Sequence, residues 1–205
     1  MEIKKKMFLR IFPLCFIGGV LLAANYKGTK DVYLPLEEKT TSSANAENFN
    51  KMMDVLTHKR CVNCHPNDNV PKQGEDSHPH YFGVSRGTAN LGYEATRCVT
   101  CHQDENNAFS GVPGAPEWSL APPQMFWEGL SRIEIAESIM DPARNGGRSP
   151  EETLHHLTEH ELVLWAWNPG VDASGAPREK PPVPLDEYIE AVEQWFEDGA
   201  VIPTH

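Results

Sequence analysis

Cys61-Val62-Asn63-Cys64-His65 and Cys98-Val99-Thr100-Cys101-His102 write one pattern, Cys-x-x-Cys-His, twice into a chain of 205 residues. Two thiols one helical turn apart can each form a thioether with one vinyl group of a porphyrin. The adjacent histidine then reaches the iron from the proximal side. The pattern is the attachment signature of a c-type heme, and it predicts two. Cys61, Cys64, Cys98 and Cys101 are the expected covalent anchors, and His65 and His102 the proximal iron ligands. The chain has five cysteines, and the two motifs use all four that lie beyond the N-terminal apolar segment. Only the 33 residues of 65–97 separate Cys64 from Cys98, too few for a separate small cytochrome domain. Both hemes are therefore expected in one fold, close enough to exchange electrons directly. Two porphyrins would supply much of its core, and without them the chain should fold badly.

Other uses of paired cysteines fit less well. One zinc clasped by four thiolates leaves both histidines unexplained and prefers a shorter insert or a β-rich context. A disulfide across two intervening residues closes too small a loop to stabilise much. A thioredoxin-like redox pair needs a βαβ setting, which this sequence lacks.

The sixth ligands are harder to assign. Met52, Met53 and Met140 sit on apolar helix faces and read as core. Met125 differs: it lies in Ala121-Pro122-Pro123-Gln124-Met125-Phe126-Trp127, a proline-stiffened aromatic loop, and is a distal candidate. His78 and His80 lie in the loop between the motifs. Tyr81-Phe82 after His80 predicts a buried neighbourhood and makes it the second candidate. His155 and His156 project about 100° apart on a helix, so one iron would not use both. His156 shares a face with His160, Val163 and Trp167. The order His-Leu-Thr-Glu-His is wrong for a zinc protease. His156 is the favoured third candidate, with His160 left at the surface or behind a ligand. His58 and the C-terminal His205 complete the histidines that could serve.

Residues 1–24 read as an address. Lys4, Lys5, Lys6 and Arg10 precede and enter an apolar run over 8–24 that ends at Ala23-Ala24, the form of a secretory signal. Cleavage after Ala24 is expected, although Leu22 stands where a small residue is preferred. The alternative is a membrane anchor through 8–24, although the part beyond Arg10, residues 11–24, would barely span. Phe12-Pro13-Leu14 before Cys15 do not resemble a lipidation site. Either way the chain is expected in the periplasm, soluble or loosely membrane-associated. Residues 25–45 read as a polar linker, and 46–205 as a single diheme domain.

That domain is expected to be mainly α, with short helices and long loops around the hemes and little or no β. Phe49, Met52, Met53 and Leu56 mark a helix over 46–58. Ser131 with Glu134 forms a capping box that opens a helix stopped by Asp141-Pro142. Ser149-Pro150-Glu151-Glu152 opens another, expected to run to Trp167. Ile189, Val192, Trp195 and Phe196 mark a last helix over 185–198, closed by Gly199. The Pro- and Gly-rich stretches 66–97, 103–123 and 171–184 read as loops, with no convincing strand pair. With 40% hydrophobic and 23% charged residues the chain can bury a core. The formal charge is −11, and falls to −14 without residues 1–24, whose own balance is +3. So acidic a surface argues against nucleic acid or anionic lipid as a partner.

The segments MDVLTHKR before CVNCHP, then GEDSHPHYFGVSRG, CVTCHQDENN and FSGVPGAPEWSLAPPQM, resemble a family of small exported proteins labelled isoquinoline 1-oxidoreductase subunit. The likeness continues through GLSRIEIAESIMDP, LVLWAWNPG, REKPPVP and the last helix, covering about residues 50–203. It implies a heme-bearing partner of a molybdenum hydroxylase, an enzyme that oxidises N-heterocycles or aldehydes with water as oxygen source. The chain has no molybdopterin or flavin motif and no Cys-rich iron–sulfur pattern. It would accept electrons from such an enzyme, or from another cytochrome, and pass them on. The expected function is thus a diheme electron relay rather than an enzyme. The alternatives are a small heme enzyme, a peroxidase or oxide reductase with one open iron, and a heme-based sensor.

Overall fold

Helix begins earlier than the apolar spacing predicts: α1 spans Glu37–Leu56, so part of the expected polar linker is helical. This computed structural model describes residues 37–204, with side chains from residue 43. The leader at 1–24, the remainder of the linker at 25–36, and His205 lie outside the described residues. Phe49, Met52, Met53 and Leu56 form the buried stripe of α1, joined by Val55. The helix ends where His58 turns extended, with ψ at 150°. His58 Nδ1 then accepts from the Arg60 amide at 3.2 Å and caps α2, the single turn Lys59–Val62 that carries Cys61.

Both capping boxes form as written in the sequence. Ser131 and Glu134 exchange side-chain and backbone hydrogen bonds at the start of α3, Arg132–Met140. Ser149 and Glu152 do the same at α4, Pro150–Glu159. The expected helix from Ser149 to Trp167 is not continuous. His160 is extended (ψ 123°), and the chain resumes as α5, Glu161–Leu164, and a 3₁₀ turn at Trp165–Trp167. Two tertiary contacts account for the break. Trp165 Nε1 donates to Asn106 Oδ1 at 2.9 Å, and its ring meets Trp118 edge-on with centroids 4.9 Å apart. The redirected chain brings Trp165 to the second motif's loop, which a straight helix would leave unmatched. The last helix, α6, spans Leu185–Glu197.

The core lies where α6 packs on α1 and α4, with α3 against α4. Met52, Met53, Tyr188, Val192 and Trp195 have no solvent exposure, and Ile135, Ile139, Leu157 and Trp127 close the cluster. Met52 and Met53 are core, as their helical spacing suggests, and Met140 packs against them at the edge. Each fully buried side chain of this size contributes about 1.5–3 kcal/mol.

The chain between the motifs is different. From 66 to 126 the buried apolar side chains among the described residues are Pro66, Ala115, Leu120 and Met125. This stretch is held by loop hydrogen bonds instead. Buried Arg86 donates to the carbonyls of Asp68 and Ala121 and to the Asn69 and Asn90 side chains. One short antiparallel ribbon, unforeseen in the sequence, pairs β1 (Lys72–Gln73) with β2 (His78–Pro79). Its turn needs Gly74: φ is +78°, and a Cβ there would stand 2.7 Å from His78 Cε1. Helix makes up 43% and strand 5%, so the fold is mainly α. Residues 37–204 fall in one compact unit, and no helix among the described residues is long and apolar enough to cross a membrane.

Candidate heme centres

The first motif continues directly from α2. The Cys64 amide donates to Cys61 O and the His65 amide to Val62 O, a tight turn that sets both thiols beside the histidine. A loop then straps the histidine in place. The Trp127 amide donates to His65 O at 2.9 Å, and the Ala121 amide to Cys64 O at 3.0 Å. His65 Nδ1 lies 2.7 Å from the Met125 carbonyl. A carbonyl only accepts, so Nδ1 carries the proton and Nε2 keeps its lone pair. The Trp127 ring lies flat on the imidazole, with centroids 3.6 Å apart and planes 9° from parallel.

The second motif repeats the device with different residues. Cys98–Thr100 is a 3₁₀ turn, and the His102 amide donates to Cys98 O. His102 Nδ1 donates to the Pro113 carbonyl at 2.8 Å. Trp118 stacks on its ring, with centroids 4.5 Å apart and planes 6° from parallel. In each motif a backbone carbonyl fixes the tautomer and an indole fixes the plane, which is the support a metal-ligating imidazole receives.

Burial lowers both histidines. It brings His65 to about 4, with Arg148 and Arg86 adding to the effect and the Met125 carbonyl opposing it. His102 moves the same way for the same cause, with His80 and Arg178 adding. Neutral imidazole is the form that binds a metal. Burial also pushes the Cys61 thiol up to about 12 and the Cys64 thiol to about 11, although both keep some solvent contact. Backbone hydrogen bonds tie both motifs to one set of loops: the Cys98 amide donates to Leu91 O, the Leu120 amide to Asn90 O and the Ala121 amide to Cys64 O. All four thiols are free of disulfides. Among the described residues no three His, Cys, Asp or Glu side chains converge, as a four-thiolate zinc site would require.

The donors present suit a porphyrin held at each motif through two thiols and one imidazole. The loops from 66 to 126 have little apolar core of their own. Trp127 Nε1 and Tyr188 Oη are buried without a hydrogen-bond partner. Trp127 lies against His65, and Tyr188 belongs to the core cluster on which Cys61 packs. Three arginines also stand near the motif histidines: Arg86 and Arg148 by His65, Arg178 by His102. Their hydrogen bonds run largely to backbone carbonyls, leaving cationic charge available for porphyrin carboxylates.

The three distal candidates fall in two places, His80 at the second motif and His156 and Met125 at the first. His80 lies beside His102, ring centroids 6.1 Å apart. His156 lines a small cavity with His65, Met125 and Arg148, and burial brings it to about 3, with Arg148 adding. Met125 gives its carbonyl to His65 Nδ1, so its backbone stands on the side of the ring away from Nε2. Its sulfur is buried 3.7 Å from Arg148 Nη1. His160 packs on His156 at 4.8 Å and reaches Glu117 at 3.2 Å, a supporting position. The expectation of a buried setting after His80 is overturned: Tyr81 is 61% exposed and Phe82 87%. Phe82 takes φ +64°, a turn that sends its ring outward. Trp118, Trp127 and the three arginines are contributors that motif reading missed. Only the aromatic loop at 121–127 hinted at Trp127, and nothing in the sequence pointed to Trp118 or the arginines. Comparison of the chain with protein-family models, curated proteins and solved structures gave no match.

Proposed function

We propose that this chain is an exported diheme c-type cytochrome that relays electrons between redox proteins. The observation that carries the proposal is the duplicated clamp. Two Cys-x-x-Cys-His motifs each present a histidine whose Nδ1 is tied to a carbonyl and whose ring is stacked on a tryptophan. Cys61 and Cys64 would hold one porphyrin, and Cys98 and Cys101 the other. His65 and His102 would supply the proximal nitrogens. When bound, each heme supplies a one-electron Fe(III)/Fe(II) couple. The protein's part is to hold each imidazole still, since a ligand that does not move between oxidation states keeps reorganisation small. The loop tied to Asn63 of the first motif carries His80 to His102 of the second, which supports direct exchange between the two centres. The sequence resemblance adds a donor, a molybdenum hydroxylase, with another cytochrome as the alternative partner.

One observation favours a second reading, an enzyme with an open first centre. A cleft of about 320 Å³ lined by Arg148, Glu152, His155, His156 and His160 adjoins the cavity behind His65. Absorption spectra of both redox states, with and without carbon monoxide, separate the two. A relay gives spectra that carbon monoxide leaves unchanged. Rapid carbon monoxide binding, or turnover of peroxide, identifies the enzyme.

A further inference from the structure

We infer that His80 is the sixth ligand of the iron held at the second motif, so that this centre is bis-histidine with His102 and His80 as its axial pair. The inference rests on the diheme reading and assigns to one motif a ligand that the sequence leaves unassigned. Two imidazoles on opposite sides of one metal, with metal–nitrogen bonds of about 2.0 Å and ring centres about 1.1 Å behind each nitrogen, have centres about 6.2 Å apart. The His80 and His102 rings are 6.1 Å apart. An edge-to-face aromatic contact would allow a similar spacing, and the free nitrogens add to the case for a metal. His80 Nδ1 donates to the Tyr81 carbonyl at 2.8 Å, and His102 Nδ1 donates to the Pro113 carbonyl. In both rings Nδ1 is thus taken up by a backbone carbonyl, which leaves Nε2 as the nitrogen a metal would take.

The loop that delivers His80 is built for position. The Lys72 amide donates to Asn63 O, inside the first motif, and Asn63 Nδ2 to Gly74 O at 3.4 Å. The ribbon β1–β2 follows, and the His80 amide closes it by donating to Pro71 O at 2.8 Å. The loop between the motifs is therefore sewn to the first motif at one end and reaches the second motif's histidine at the other. His156, in the cavity with His65, stands at the first centre instead. The ring planes of His80 and His102 cross at 72°, so the second iron should give the strongly anisotropic low-spin signal of near-perpendicular axial imidazoles.

The test uses the full chain matured with heme-attachment machinery, as wild type, His80→Ala and His80→Met. Intact mass counts the hemes, and electron paramagnetic resonance with absorption reads the ligands. In His80→Ala half of the heme, one of two, should turn high-spin, and added imidazole should restore it. In His80→Met the same heme should stay low-spin and gain the sulfur-to-iron band of a methionine ligand. Two attached hemes that both remain low-spin in His80→Ala, with no new band in His80→Met, would overturn the assignment and leave the diheme reading standing. A wild-type chain that matures without attached heme overturns both.

Discussion

Trp127→Leu isolates the stacking that holds His65, the histidine of the first motif. Trp127 is 5% exposed and lies 3.6 Å, centroid to centroid, over His65. Leucine keeps an apolar side chain there but leaves about 60 Å³ unfilled, which at about 24 cal/mol per Å³ costs about 1.5 kcal/mol. Loss of the stack adds about 0.5–1.5 kcal/mol. The sum, about 2–3 kcal/mol, should lower Tm by about 5–10 °C in a domain of this size. Trp118→Leu is the internal control. Its indole stacks on His102 with a similar tilt but is only half-buried, so solvent fills the gap, and what is lost is two aromatic contacts, with His102 and with Trp165, about 1–3 kcal/mol with no cavity cost. Denaturant and thermal unfolding of both heme-loaded variants, side by side, make the measurement. A Trp127→Leu protein within about 0.5 kcal/mol of wild type would show that the stack does not brace His65.

Ser149→Ala removes the capping box of α4 and should cost about 1 kcal/mol by denaturant titration, with Ser149→Asp close to wild type. His58 titrates below the ordinary histidine range. Burial is the main cause, with Lys59 and Arg60 adding and the Glu179 contact opposing. Its folded pKa lies below its unfolded value of about 6.5, so its contribution to stability is complete above that pH and is lost as pH falls toward the folded pKa. The drop in unfolding free energy from pH 7.5 to pH 5.5 should shrink in His58→Gln; an unchanged drop would clear His58 of the effect. The charge of −14 beyond the leader predicts a basic docking face on the redox partner. Stopped-flow electron transfer to or from that partner should slow as ionic strength rises, and a salt-independent rate would remove the electrostatic argument.

Where one local signal decides the structure, the sequence was readable. Ser131 and Ser149 open helices because both partners of each capping box lie within four residues. Leu185–Glu197 is helical because Val192 and Trp195 share a face that nothing contradicts. Cys61 to His65 and Cys98 to His102 announce their own turns. What stayed hidden depends on residues far apart in the chain. The break at His160 follows from Trp165 reaching Asn106 and Trp118, and no periodicity encodes it. The Met125 and Pro113 carbonyls that fix the motif histidines are backbone atoms and leave no compositional trace. Tyr81 and Phe82 suggested burial because aromatic residues usually seek it, yet the turn at Phe82 exposes both. His80 looked like one of several loop histidines until the ribbon from Lys72 to Pro79 set it beside His102.

Attachment of two hemes is the central claim, and the mass of the mature chain tests it most directly. The protein should be matured with heme-attachment machinery, extracted with acid and acetone to strip loose heme, and weighed intact. The expected mass is the polypeptide plus two hemes, falling by one heme when both cysteines of either motif are replaced by alanine. A mass equal to the bare polypeptide, or stoichiometric zinc by elemental analysis, would contradict it.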